Sequence, residues 1–147
     1  MDVIERYRAE HQDPLLEKAS RYFKNITLGS FRELRTDVND QGRPILIGVR
    51  PDGAWLKVEA MSDGTRDQLY LALRLATLDW RLESSEAMPF IVDDIMINFD
   101  DERSRATLHS LSALAEKNQI ILFTHHRRIT EIAETLDAGE RVFIHEI

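Results

Sequence analysis

The chain contains no cysteine, which removes disulfides, thiolate metal ligands and a thiol nucleophile together and accords with a reducing compartment. It has no apolar run approaching the roughly 20 residues that span a bilayer. The opening MDVIERYRAE is too charged for a signal peptide, so the expected location is cytoplasmic, with no membrane partner. Positive charge is in deficit: 19 Lys and Arg against 26 Asp and Glu give a net charge of −7. That argues against a surface broadly adapted to nucleic acid, though a local basic patch is compatible with it. Also missing is any G-x-x-x-x-G-K-[ST] loop, since Gly29, Gly42, Gly48 and Gly53 are followed by no such pattern. The backbone cradle and lysine that hold β- and γ-phosphates in P-loop enzymes are therefore absent from this chain.

What is present suffices for a core: 147 residues, 43% of them apolar, make one domain or one lobe of a larger one. Three textures follow one another. Residues 1–26 place Ile4, Tyr7, Leu15, Ala19, Tyr22, Phe23 and Ile26 mostly at three- or four-residue steps, an amphipathic helical pattern interrupted at Asp13-Pro14. This reads as a surface helix or the end of a coiled coil. Residues 27–61 hold short β-type runs, FRELRTDV, PILIGVR and AWLKVEAM, separated by NDQGRP and PDG, which predicts an antiparallel meander. In residues 62–147 predicted helices near 65–82, 101–117 and 127–136 alternate with the strands PFIVDD, QIILFT and RVFIHEI. The fold class is α/β, with a mostly parallel sheet covered by helices on both faces.

Ligands on such sheets sit at the carboxyl ends of the strands, here Asp93-Asp94 and Thr124-His125-His126. Side chains alternate along a strand, so the two carboxylates diverge: one is suited to hold a magnesium-bound water, the other to orient a nucleophile. A histidine at the second strand end can donate to a phosphate, His125 more readily than His126. The third element is MSDGTRDQLYLALRLA, where Ser62 and Gly64 open a helix whose positive end favours an anion and Arg66 adds a formal charge. Each element alone also reads as ordinary turn and cap chemistry. Their order and spacing are more informative: Ser62 precedes Asp93 by 31 residues, Asp100 follows Asp94 by six, and His125 follows Asp94 by 31.

In that order the sequence resembles the ABC-type ATPase heads of the SMC and SbcC class, most closely the YhaN-like branch. MSDGTRDQLYLALRLA is similar to the signature motif and its helix. FIVDD is similar to Walker B with the catalytic acid position, NFD at 98–100 to the D-loop, and LFTHH to the switch-histidine motif. The resemblance implies the C-terminal half of a P-loop NTPase head, entered through the last turns of a returning coiled coil. It implies that Asp93 holds the magnesium shell, Asp94 orients or activates the attacking water, and His125 contacts the γ-phosphate. Asp100 would communicate across a dimer, and Ser62, Gly64 and Arg66 would touch, in trans, the nucleotide bound to the second subunit. The implied cofactors are ATP and Mg2+. The implied partners are the P-loop-bearing N-terminal lobe, a second copy through the ATP interface, DNA and a nuclease subunit, in DNA repair or processing.

Departures from the family pattern carry their own expectations. Asp94 stands where many such ATPases have Glu, one methylene longer. Asp63 stands where the signature has glycine, and a carboxylate there is compatible with a triphosphate only if it points away. Without a P-loop, tight ATP binding and turnover by this chain alone are not expected, whether it is a C-terminal fragment or a separate half. Two other functions fit parts of the pattern. One is a divalent-metal phosphoesterase using Asp93, Asp94, His125 and His126 as ligands; the other is a non-catalytic interaction module.

Overall fold

The computed structural model describes residues 14–136 and 141–147. The first half of the expected N-terminal helix, with Ile4 and Tyr7, lies outside the described residues. Helix α1 runs Pro14–Ile26, starting where Asp13-Pro14 interrupts the sequence pattern. A proline costs nothing at a first helical position, because its missing N–H has no intrahelical acceptor there. Ala19, Phe23 and Ile26 are buried along one face.

The meander forms as its turns predict. Strands β1 (Glu33–Val38), β2 (Pro44–Val49) and β3 (Trp55–Lys57) pair antiparallel in sequence order. In the first turn Asn39 Oδ1 accepts the backbone N–H groups of Gln41 and Arg43 at 3.0 and 2.9 Å, the local bonding that makes asparagine a turn residue. In the second, Gly53 takes φ +88°, which residues with a Cβ rarely adopt. Strand β3 is shorter than AWLKVEAM predicts, because the chain coils into a 3-10 turn at Val58–Ala60. That turn leads to Met61, which is buried.

Gly48 lies where the sheet meets Met61 and Phe31: a Cβ there would sit 2.8 Å from Met61 Cε and 2.8 Å from Phe31 Cδ1. Gly48→Ala forces the Phe31 ring to move, and the expected cost is about 1–3 kcal/mol, read as a lowered midpoint in urea unfolding. An unchanged midpoint would show that the ring moves freely.

Helix α2 (Asp63–Arg81) is the axis of the fold. Leu69, Ala72 and Ala76 pack with Ala19, Phe23, Phe31, Leu34 and Met61. Leu71 and Leu75 belong to a second cluster with Met96, Phe99, Leu108, Leu111, Ile129 and Ile132. Near its C-terminal end Asp79, almost buried, accepts the Tyr22 hydroxyl at 3.2 Å and pairs with Lys18 at 3.5 Å and Lys117 at 3.4 Å. Lys18 also pairs with Glu83 at 2.7 Å. Burial pushes the Asp79 carboxyl up, but Lys18 and Lys117 outweigh that and hold it below the usual carboxylate value.

The second half supplies strands β4 (Phe90–Asp93) and β5 (Ile120–Phe123) and helices α3 (Asp101–Leu114) and α4 (Arg127–Glu134). The two strands are parallel, with Phe90 opposite Ile120 and Asp93 opposite Phe123. The expected sheet is therefore α/β but small: two parallel strands among the described residues rather than three or more. The predicted strand RVFIHEI is not formed, since residues 142–147 carry no ladder and are exposed, Phe143 among them. A strand needs a neighbour to take its backbone hydrogen bonds, and this segment has none among the described residues.

The expected two-sided covering is also corrected. Val92 is buried, and Phe90, Ile120 and Leu122 pack on the helical cluster. The opposite pleat leaves Ile91 60% and Phe123 45% exposed. Apolar residues on both faces of β4 nevertheless match the composition of a strand covered on both sides.

Candidate functional site

Three places on this frame carry the sequence-predicted residues. The first is the start of α2. Ser62 has extended backbone and caps the helix, its hydroxyl accepting the Thr65 N–H at 3.3 Å and meeting Thr65 Oγ1 at 2.9 Å. Gly64 lies against the loop that follows β4: a Cβ there would come within 3.1 Å of the Asn98 carbonyl oxygen. Asn98 in turn donates its amide to Asp67 Oδ2 at 2.8 Å. Arg66 is not free, because it forms an ion pair with Asp63. The Asp63 side chain is 82% exposed, so its charge is both matched and turned to solvent. Asp63, Arg66, Asp67, Tyr70 and Asn98 line an open hollow of about 390 Å³.

The second place is the pair of parallel strand ends. Asp93 is the last residue of β4 and shares the outward pleat with Ile91. Asp94 leaves that alternation: its φ is +45°, a left-handed conformation that aspartate tolerates better than most residues. Its N–H bonds the Phe123 carbonyl at 2.9 Å, extending the parallel ladder by one bond. The carboxylate then faces the end of β5, where Oδ1 accepts the His125 N–H at 3.3 Å and Oδ2 pairs with His125 Nδ1.

Burial pushes the Asp94 carboxyl up. Hydrogen bonds from the Thr124 hydroxyl and the His125 backbone, with the attraction of the His125 ring, outweigh it and leave the group below the usual carboxylate value. His125 is 74% exposed and its ring lies 4.1 Å, centroid to centroid, from that of His126. Asp94, His125 and His126 can each bring one ligand atom within 4.8 Å of the others. Asp93 is not part of that group, so the four-ligand set expected for a metal phosphoesterase is not assembled.

Asp100 is the third place. It caps α3, Oδ1 accepting the Arg103 N–H at 2.8 Å, and its carboxylate pairs with the Arg103 guanidinium. These bonds hold its carboxyl below the usual value. Arg128 on α4 donates to the Phe99 carbonyl at 2.9 Å and pairs with Asp101 at 3.0 Å, fixing the loop between β4 and α3.

The structure thus joins Asp94 to His125, and Gly64 to the 98–100 loop, while Asp93 stands apart from both. Sequence reasoning gave no role to Asn98, Thr124 or Arg128.

No family model matches the chain. In sequence it is 33% identical over 129 residues to the uncharacterized protein YhaN of Bacillus subtilis. That alignment covers 87% of this chain and 13% of YhaN, so the chain spans about an eighth of that relative's length. In structure it superposes on the Smc head domain of Pyrococcus furiosus with a TM-score of 0.63 at 17% identity, covering 82% of this chain and 30% of that one. The chain is similar to the C-terminal lobe of an SMC-type ATPase head. An SMC ATPase described for ATP-driven dimerization and DNA-stimulated activation gives this lobe a TM-score of 0.60 at 18% identity, over 88% of this chain and 78% of that one. The SMC head of Thermotoga maritima gives 0.57 at 19% identity, over 88% and 43%. The fold of this SMC-like lobe is common to all three. No helix among its described residues is long and apolar enough to cross a membrane.

Proposed function

We propose that this lobe is the signature-bearing half of an ATP-hydrolysing site, completed by a P-loop-bearing lobe and closed by a second copy around ATP and Mg2+. The observation that carries the reading is the Asp94–His125 pair at adjacent parallel strand ends. The residues present fit half of such a site. Ser62 and Gly64 open a 19-residue helix, whose positive end suits an anion, and the Asp63–Arg66 pair offsets the carboxylate that departs from the signature pattern. The exposed Asp93 offers the hard oxygen donor that magnesium takes. The apolar pleat of Ile91 and Phe123 beside it is where the P-loop lobe would pack.

In this reading Mg2+ supplies charge neutralisation on the phosphates. Asp94, ionised at neutral pH, orients and polarises the attacking water rather than storing its proton, because a carboxylate below its usual pKa is a weak base. His125 gives Nδ1 to Asp94 and turns the other edge of its ring to the phosphate. Asp100 would act across the dimer from the rim of the 98–100 loop, and the loop's contact with Gly64 ties it to the signature turn. Residues 1–26 would be the end of a returning coiled coil, 27–61 the meander and 62–147 the ATPase lobe proper. The whole protein would be cytoplasmic and act in DNA repair or processing, beside a nuclease subunit.

Ser62→Arg tests the trans contact. The longer cation occupies the turn without touching the core, so the reconstituted head should still bind the P-loop lobe but lose ATP-dependent dimerisation in light scattering. Undiminished dimerisation would contradict a role for the turn in trans.

A further inference from the structure

Two adjacent histidines and a carboxylate at one point of a sheet make a different kind of site from an oxygen cradle. We propose that Asp94, His125 and His126 form a binding site for a single imidazole-preferring divalent metal of the zinc class, distinct from the magnesium expected with nucleotide.

The three side chains can bring their ligand atoms within 4.8 Å of one another. A tetrahedral zinc ion with bonds of about 2.0–2.1 Å keeps its donors about 3.3 Å apart, and two features allow that adjustment. Asp94 Oδ2 and His125 Nδ1 are already in contact, so they need only part slightly for a metal to take the place of the proton they share. His125 is 74% exposed, so its ring turns without disturbing the core.

The second observation is independent of that contact. His126 Nε2 is out of reach of solvent and meets no hydrogen-bond partner. An unpartnered buried ring nitrogen is uncommon, because it forgoes the bonds it would make in water. The His126 side chain gives nothing to the helix it precedes either, as α4 has no side-chain cap. His126 therefore has no bond to lose to a metal. Its N–H instead fixes the backbone, bonding Thr124 Oγ1 at 3.1 Å.

Two imidazoles and one carboxylate select zinc, nickel, cobalt or copper over magnesium. Three protein ligands leave a coordination position for water or a ligand oxygen. The metal would use the atoms through which Asp94 and His125 meet, so metal binding and that direct contact exclude each other. The claim does not depend on ATP hydrolysis, since binding can be measured without nucleotide or a second lobe.

The test is calorimetric titration of the chain with Zn2+, repeated with Mg2+ alone. One Zn2+ per chain should bind, and Mg2+ should not. Asp94→Asn and His126→Ala should each weaken Zn2+ by more than the about 10–100-fold that loss of an outer-shell partner costs, while His109→Ala, on the exposed face of α3, leaves it unchanged. Circular dichroism checks that both variants fold, and Asp94→Asn, which keeps the shape and the left-handed backbone, decides if His126→Ala does not. Absence of stoichiometric Zn2+ binding, or binding indifferent to Asp94→Asn, overturns the site.

Discussion

Asp94→Asn should lower Mg2+-dependent ATP hydrolysis by the reconstituted head about 10²–10³-fold, the range lost when one preorganised polar group at the reacting atoms is removed. The substitution is conservative in every respect but charge. Asparagine is among the few residues that accept the φ of +45° at this position, and its amide oxygen can still take the His125 N–H that Asp94 Oδ1 accepts at 3.3 Å. What disappears is the negative charge at the strand end and the carboxylate oxygen that meets His125 Nδ1. Nucleotide-dependent assembly of the head should survive, because nothing in the capping of α2 by Ser62 or in the Gly64–Asn98 contact involves Asp94. Loss of both hydrolysis and assembly would place Asp94 in binding instead, and a rate within threefold of the parent would remove it from the chemistry.

Asp79→Ala should be the most damaging polar substitution in the fold, costing about 3 kcal/mol as expected when one member of a buried charged network is removed. The carboxylate joins three elements: Tyr22 and Lys18 on α1, its own helix α2, and Lys117 in the turn after α3. Removing it takes away the acceptor of the Tyr22 hydroxyl and leaves Lys18 with Glu83 as its remaining carboxylate.

The same network predicts a pH dependence. The folded-state pKa of Asp79 is depressed, so its contribution is fully present above the ordinary aspartate value and is lost as the pH falls through the folded value. Lys18 is shifted upward, first through its hydrogen bond to Glu83, and its contribution fades only at alkaline pH. The parent should therefore lose stability in acid faster than Asp79→Ala does, with the two urea midpoints converging at low pH. A constant gap between the two proteins would show that Asp79 acts through packing and not through its charge.

The local elements were largely legible because local chemistry specifies them. NDQGRP and PDG are turns by the bonding of Asn39 and the backbone of Gly53. The helix after Ser62 is announced by its cap, and the alternation of strands and helices after residue 62 gave the α/β class. What the sequence could not convey was which partners would be present. RVFIHEI has the composition of a buried strand but no neighbour to pair with among the described residues. Ile91 and Phe123 read as core yet lie on an uncovered pleat, because composition reports the environment a strand suits and not whether the covering layer belongs to the same stretch of chain.

The site divides along similar lines. The ends of β4 and β5 fall where the alternation of strands and helices put them, but Asp93 and Asp94 diverge through the left-handed backbone at Asp94 and not through the strand alternation that was expected. The left-handed turn that carries Asp94 to His125 is a tertiary outcome, fixed by one extra ladder bond to Phe123. Arg66, read as a free cation for phosphate, is engaged by Asp63 one turn away, a pairing that the i,i+3 spacing could have suggested. Asn98 lay within a motif whose terminal aspartate drew the attention, and its carbonyl, which touches Gly64, is a backbone group that no sequence displays.

The central claim is that this lobe holds half of an ATPase site, and the most direct measurement is Mg2+-dependent ATP hydrolysis by the chain alone, by a separately produced P-loop-bearing lobe from the same parent, and by the two mixed. Turnover is expected in the mixture only. Hydrolysis by this chain alone, or none from a complex verified by light scattering, would contradict it.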